Sequence, residues 1–199
     1  MKTVLITGGA GDWASSFKSN YSSEFNILTP GRAELDVTNE AMVESYIDQN
    51  RIDVLINNAG SIHPKKILES DSKLWINDIN VNLVGTYLAA KYVLKSNSEA
   101  LIINISSTAG FNAYADWSSY CASKAAVITL SKSLANDGFK SYCLCPGGFD
   151  TKFRDNFDLN NDNLMPCSEI SRHVMGVIDS QYKPGDVLFF RKGEFKLNP

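Results

Sequence analysis

Short apolar runs alternate along this chain with longer stretches of helical periodicity, and that alternation restricts the fold more than any other feature. Strands are expected near 2–7, 25–29, 34–37, 53–57, 100–106, 139–145 and 186–190. Helices are expected near 12–21, 39–50, 71–97, 118–137 and 168–180. Such alternation implies parallel strands joined by crossover helices that cover both faces of a sheet. The expectation is an α/β fold, a doubly wound and mostly parallel Rossmann-like sheet of about seven strands. Thr29-Pro-Gly-Arg-Ala-Glu34 is too short to hold a crossover helix between the second and third of those strands. One peripheral helix is therefore expected to be reduced to a loop.

At 199 residues the chain reads as one domain spanning 1–199, long enough to bury roughly 70% of its unfolded surface around a single core. A substrate loop is expected at about 152–167, around the polar stretch Asn156-Phe-Asp-Leu-Asn-Asn-Asp-Asn163. The net charge of −3 is spread over interspersed signs, which argues against a nucleic-acid partner. No apolar stretch approaches a membrane span or a signal peptide, so no membrane partner and a cytoplasmic location are expected. Cys121, Cys143, Cys145 and Cys167 lack C-x-x-C spacing and read as buried reduced thiols. His63 and His173 are too few and too scattered for a metal site.

Tyr120-Cys-Ala-Ser-Lys124 carries the chemistry. A helix brings residues i and i+4 onto one face, so Lys124 can sit beside the Tyr120 phenol. A neighbouring cation favours phenolate and draws the tyrosine towards proton exchange near neutral pH. Ser107, thirteen residues earlier, ends the apolar run Ala100-Leu-Ile-Ile-Asn-Ile-Ser-Ser107, which reads as a buried strand. Carboxyl ends of strands are where open α/β sheets bind ligands. The same tyrosine–lysine spacing recurs at Tyr87 and Lys91, but Leu74 stands thirteen residues before Tyr87 and has no proton chemistry. The Tyr87 pair is expected on a helix surface.

Near the amino terminus, the strand-like Lys2-Thr-Val-Leu-Ile-Thr7 runs into Gly8-Gly-Ala-Gly-Asp-Trp-Ala14 and then a helix. A strand, a glycine-rich turn and a helix amino terminus together cradle a pyrophosphate. Gly8, Gly11, Asp12 and Trp13 are its candidate contacts. Asp12 brings a carboxylate near phosphates and can instead cap the helix.

Taken with these motifs, Leu35-Asp-Val-Thr38, Asn57-Asn-Ala-Gly60, Val81-Asn-Leu-Val-Gly85, Asn104-Ile-Ser-Ser107 and Pro146-Gly147 with Thr151 resemble the short-chain dehydrogenase/reductase family, in family order. The resemblance implies an NAD(P)-dependent oxidoreductase that moves a hydride between a nicotinamide cofactor and a small carbonyl or alcohol substrate. It implies a catalytic tetrad of Asn82, Ser107, Tyr120 and Lys124, with Asn82 at a helix kink supporting a water. Asp36 and Val37 would lie by the adenine. Asn58, Ala59 and Gly60 would lie by the adenine ribose, and Pro146, Gly147 and Thr151 around the nicotinamide. Phe111, Tyr114, Trp117, Phe153 and Phe157 are candidates for the substrate wall.

The family's oxidoreductases usually carry glycine where Asp12 stands. The T-G-x-x-G spacing of Thr7 to Gly11 instead resembles the sugar-nucleotide branch, yet only 48 residues follow Thr151, too few for that branch's substrate domain. Two alternatives remain at this point, a non-catalytic dinucleotide-sensing relative and a sugar-nucleotide epimerase or dehydratase. Among cofactors, NADP(H) is expected over NAD(H), which stays possible. The second strand ends Ile27-Leu-Thr-Pro-Gly-Arg32 without an acid, and an arginine there accommodates a 2′-phosphate. Apolar residues on the helices near 71–97 and 118–137 imply a homodimer or homotetramer.

Overall fold

A computed structural model describes residues 1–153 and 163–199. Seven strands form one sheet in the order β2-β1-β3-β4-β5-β6-β7. They are β1 (Thr3–Ile6), β2 (Asn26–Leu28), β3 (Val54–Asn57), β4 (Leu101–Ile105), β5 (Ser141–Pro146), β6 (Val187–Arg191) and β7 (Glu194–Leu197). Pairing is parallel from β2 through β6, and β7 joins β6 antiparallel. Among the described residues six α-helices connect and cover them: α1 (Asp12–Tyr21), α2 (Glu40–Asp48), α3 (Ser72–Ile79), α4 (Gly85–Ser96), α5 (Ser118–Asn136) and α6 (Cys167–Ile178).

The period-2 geometry of strands sends alternate residues to opposite faces. Val4 and Ile6 pack with Trp13, Ala14 and Phe17 of α1 and Val174 and Val177 of α6. Leu5, between them, packs with Val43 and Ile47 of α2 and Leu88, Ala89 and Val93 of α4. On that second face Val127 and Ile128 of α5 meet Cys143, Cys145 and Val187.

Two strand expectations are corrected. Residues 34–37 form no strand. Leu35 turns into the α2–α4 core. Asp36 Oδ1 captures the Thr38 amide (2.9 Å) and hydroxyl (2.7 Å) and bends the chain. The doubly wound order 3-2-1-4-5-6 carries a strand outside the second; here the sheet stops at β2. α2 makes the crossover from β2 to β3, so the missing element is an edge strand rather than that helix. Conversely, β7 has no counterpart among the expected strands. It folds back on β6 through Lys192-Gly193, with Gly193 at φ 75°.

The helix expected over 71–97 is broken. A π-helical turn at Asn80–Val84 separates α3 from α4. Such bulges cluster at functional sites. Among the described residues no helix is long and apolar enough to cross a membrane, and no group of three acids, cysteines or histidines could hold a metal.

Candidate active site

The chain reverses direction along the sheet between β2 and β3, which opens a crevice at the carboxyl ends of β1 and β3. Three strand ends are locked together there. The Thr7 hydroxyl accepts from the amides of Asn58 and Ala59 (3.0 Å each), and Asn58 Nδ2 returns a bond to the Thr7 carbonyl. Gly8 has φ 66°, and a Cβ on it would lie 2.9 Å from Ala59 Cα. A Cβ on Gly9 would stand 2.2 Å from the carbonyl carbon of Thr29. Both positions therefore need glycine.

A cleft of about 1220 Å³ opens above these ends. Gly8, Gly11, Asp12 and Trp13 of the glycine turn and α1 line it, together with Asn58, Ala59 and Gly60 after β3 and with Ser107, Tyr120, Lys124, Pro146, Gly147 and Thr151. Tyr114, Trp117 and Phe153 also line it, with the Tyr120 ring 5.9 Å from Trp117 and 6.2 Å from Phe153. Phe111 does not line it; it is exposed and packs edge-on against Phe189. Phe157 lies outside the described residues, as does most of the loop expected at 152–167. Arg32, Asp36, Val37 and Asn82 are absent from the lining. Val37 is instead buried against Gly85, and Arg32 Nε pairs with Asp36 Oδ2 at 3.0 Å on the surface. Burial is the largest single influence on the Asp36 carboxyl and pushes it up. The Thr38 bonds and the Arg32 pair together outweigh it and hold that carboxyl below its ordinary range.

Asp12 does not cap α1. Gly11 is the cap residue, and Asp12 Oδ2 accepts from the backbone amide of Lys152 at 2.7 Å, bridging the cleft from α1 to the segment after β5. Its charge is thereby committed to the loop. The first-turn amides of α1, which lack helical partners by geometry, remain to meet a phosphate. Glycine at two positions without room for a Cβ, those amides and the cleft volume fit a dinucleotide.

Ser107 follows β4 and accepts from the Ala109 amide at 3.1 Å. Its hydroxyl also hydrogen-bonds to the Tyr120 phenol. Lys124 is buried, and its Nζ donates to the Ile105 carbonyl at 2.9 Å while standing 5.5 Å from the centre of the Tyr120 ring. α5 packs closely on the turn after β4 because Gly110 has no side chain; a Cβ there would meet Ile128 Cδ1 at 2.8 Å and the Lys124 carbonyl oxygen at 3.0 Å.

The electrostatics differ from the expectation of a phenol drawn towards neutral pH. Burial pushes Tyr120 up to about 12, opposed by the Ser107 bond and reinforced by Cys121 and the Asp78 charge. Burial pushes Lys124 down to about 8. With the ammonium turned to a carbonyl rather than to the phenol, desolvation is the largest influence on both groups.

Asn82 is fully buried within the π turn. Its Oδ1 accepts from the Ser61 amide (2.8 Å), and its Nδ2 donates to the Ser61 carbonyl (2.9 Å) and Ser123 Oγ (3.0 Å). It stands behind the cleft floor. Residues that sequence reasoning missed include Pro64, Asp116, Lys152 and Ile170 in the wall. Asp116 has φ 67°, uncommon for a residue with a side chain.

The model of the short chain dehydrogenase family matches residues 13–162 of this chain. The chain belongs to that family. It is 32% identical over 209 residues to 3-oxoacyl-[acyl-carrier-protein] reductase FabG of Aquifex aeolicus, covering 88% of this chain and 84% of that protein. Over 126 residues it is 37% identical to dehydrogenase/reductase SDR family member 6 of Rattus norvegicus, covering 59% of this chain and 51% of that protein. The chain thus spans about half the length of the latter relative. A small-chain dehydrogenase solved in complex with NADPH superposes with a TM-score of 0.87 over 96% of this chain and 97% of that one, at 20% identity. A 4-hydroxyisoleucine dehydrogenase complexed with NADH gives 0.84 over 97% and 98%, at 19% identity. These two likenesses concern the fold. Members of the family are oxidoreductases.

Proposed function

We propose that residues 1–199 form one nicotinamide-dinucleotide-binding domain that reduces a small carbonyl compound, or oxidises the matching alcohol, with Ser107, Tyr120 and Lys124 in a tetrad with Asn82. The observation that carries this reading is convergence. The Ser107 hydroxyl, the Tyr120 phenol and the buried Lys124 line the same cleft as the glycine turn, with Ser107 hydrogen-bonded to Tyr120.

When bound, the dinucleotide supplies or accepts the hydride. The chain's own residues handle the oxygen. Ser107 donates a hydrogen bond to it, and Tyr120 donates the proton. A phenol held at about 12 stays protonated at neutral pH, which keeps the acid ready for carbonyl reduction. Lys124, near 8, can return a proton to the phenol side of the cleft. Trp117 and Phe153 flank the phenol and add apolar surface beside it.

The cofactor is NADP(H) in preference to NAD(H). Arg32 follows β2, its side chain is exposed, and Asp36 holds it at the tip of the turn through Nε. A charged hydrogen bond contributes about 1.5–3 kcal/mol, roughly 10- to 150-fold in affinity at 1.4 kcal/mol per decade. Titrating both cofactors into wild type and Arg32→Ala tests this. Equal affinities in the wild type, or an unchanged ratio in the variant, would sink it. Following 340 nm absorbance with ketones, aldehydes and quinones tests the activity itself.

Val84 and Tyr87 remain exposed on the outer side of the π turn and α4, with Leu83 and Leu130 half-buried. These residues suit a contact between copies of the chain in a dimer or tetramer.

A further inference from the structure

A fully buried carboxylate behind the cleft takes no part in the steps above. Asp78, on the last turn of α3, is 0% exposed. Its Oδ1 accepts from Ser61 Oγ (2.8 Å) and lies 2.7 Å from His63 Nδ1; its Oδ2 accepts from the His63 amide (3.0 Å) and Ser119 Oγ (2.7 Å). An ionised carboxylate only accepts, at about four lone-pair positions. The His63 amide, two serine hydroxyls and one imidazole nitrogen occupy them, a set of partners that suits a carboxylate accepting on every side. The imidazole is 37% exposed and links the buried charge to solvent.

These bonds join the loop after β3, the end of α3 and the first turn of α5. Each contact lies beside catalytic machinery. Ser61 is gripped on its backbone by Asn82, whose Nδ2 also reaches Ser123; the Ser123 hydroxyl donates to the Tyr120 carbonyl at 2.9 Å. Gly60, next to Ser61, lines the cleft, and a Cβ on it would be 3.8 Å from Lys124 Nζ. Ser119 directly precedes Tyr120. A buried polar cluster adds little net stability compared with apolar packing, but four directed contacts fix orientation.

We propose that Asp78 and His63 are positioning residues: together they hold the Gly60–Ser61 segment and the start of α5 so that Tyr120 and Lys124 stay aligned with Ser107. The proposal rests on the Ser107–Tyr120–Lys124 reading of the cleft. It places a specific demand on a surface histidine remote from the reacting atoms.

The test compares Asp78→Asn, His63→Gly, His63→Gln and Tyr120→Phe in the full chain. Asp78→Asn would present an amide N–H where a donor already points, and so breaks the set of four. Asp78→Asn and both His63 variants are expected to lower kcat about 10- to 100-fold, the scale of a misplaced reacting group. Their KM and cofactor Kd should be unchanged. Added imidazole should restore turnover to His63→Gly, because the site opens to solvent, and not to His63→Gln. With only two histidines in the chain, the His63 Nδ1–H resonance can be followed by nitrogen-15 NMR without any substrate; it should vanish in Asp78→Asn. Wild-type kcat in Asp78→Asn, a rate loss that tracks cofactor Kd or unfolding, or failure of imidazole rescue would each overturn the proposal. Should Asp78→Asn not fold, imidazole rescue of His63→Gly decides. Full turnover in Tyr120→Phe would instead overturn the underlying reading, whatever the other variants do.

Discussion

Two tyrosine–lysine pairs in this chain share the same spacing and nearly the same separation. Lys91 Nζ lies 6.0 Å from the Tyr87 ring on α4, and Lys124 Nζ lies 5.5 Å from the Tyr120 ring on α5. Their surroundings differ in every respect that matters to a proton. Lys91 is half exposed and bonds to Glu40 at 2.9 Å, which raises its pKa. Lys124 is buried against a carbonyl, and desolvation lowers its pKa to about 8. Tyr87 is 47% exposed, whereas Tyr120 is pushed up to about 12. Helical geometry supplies proximity. Under the proposed function, the sheet end beneath α5, with Ser107 on it, would supply the chemistry.

The comparison breaks most easily at the hydroxyl. Tyr120→Phe should lose about 10²- to 10⁴-fold in turnover, the range of general acid–base catalysis, while keeping cofactor affinity. Tyr87→Phe should stay within about twofold, since that phenol faces no reacting group. If Tyr120→Phe retains more than about a tenth of the wild-type rate, the contrast between the pairs has no catalytic meaning.

Stability against pH sharpens it next, because the two lysines are shifted in opposite directions. Lys124 has a folded pKa of about 8 against an ordinary 10.5. Below pH 8 both folded and unfolded chains carry that proton, and the cost of burying the charge is fully present. Between 8 and 10.5 the unfolded chain binds more protons, so stability attributable to this group rises with pH. Lys124→Met should therefore gain over wild type at pH 7, by up to about 3 kcal/mol at 1.36 kcal/mol per unit, and the gain should shrink towards pH 10.5. Lys91 contributes with the other sign, fully below 10.5 and lost as pH rises through its raised value. Lys91→Met should cause a small loss at pH 7. Thermal melts of both variants at pH 7, 8.5 and 10 check this; parallel curves for the two would contradict it.

The smallest expected effect on turnover belongs to the outer face. Tyr87→Glu should leave the rate per folded chain near wild type while weakening association. Light scattering should read a dimer or tetramer for wild type and 21.9 kDa for the variant. A monomeric wild type at micromolar concentration removes the assembly proposal.

Much of this was legible in the residues because it rests on local rules. Tyr120 and Lys124 lie one helical turn apart, and the buried run before Ser107 ends at the carboxyl end of a strand, where open α/β sheets bind ligands. The turn at Gly8 and Gly9 was legible for a reason the structure makes explicit, the lack of space for any Cβ. Other features depended on distant partners. Leu35-Asp-Val alternates like a strand, but its apolar side chains are claimed by α2 and α4, and Asp36 folds the backbone onto Thr38. The π turn around Asn82 leaves no mark in a periodicity that runs through it, since the break is fixed by Ser61 and Ser123 from other elements. Asp78 reads as an ordinary helix-surface acid until the loop bearing His63 folds over it. The hairpin to β7 did carry a signal, Gly193 between two short runs.

The sheet's early stop at β2 has a consequence for how such a protein can change. Residues 29–38 form an external turn held by Asp36, Arg32 and Thr38, with no outer strand to tie most of its polar side chains into the core. Substitutions at Arg32 and Glu34 alter surface charge beside the crevice without disturbing strand pairing. This external turn is thus separable from the folding problem. Selection, or an engineer, can retune it one residue at a time, whereas Gly8 and Gly9, against Ala59 and Thr29, leave no room for a side chain.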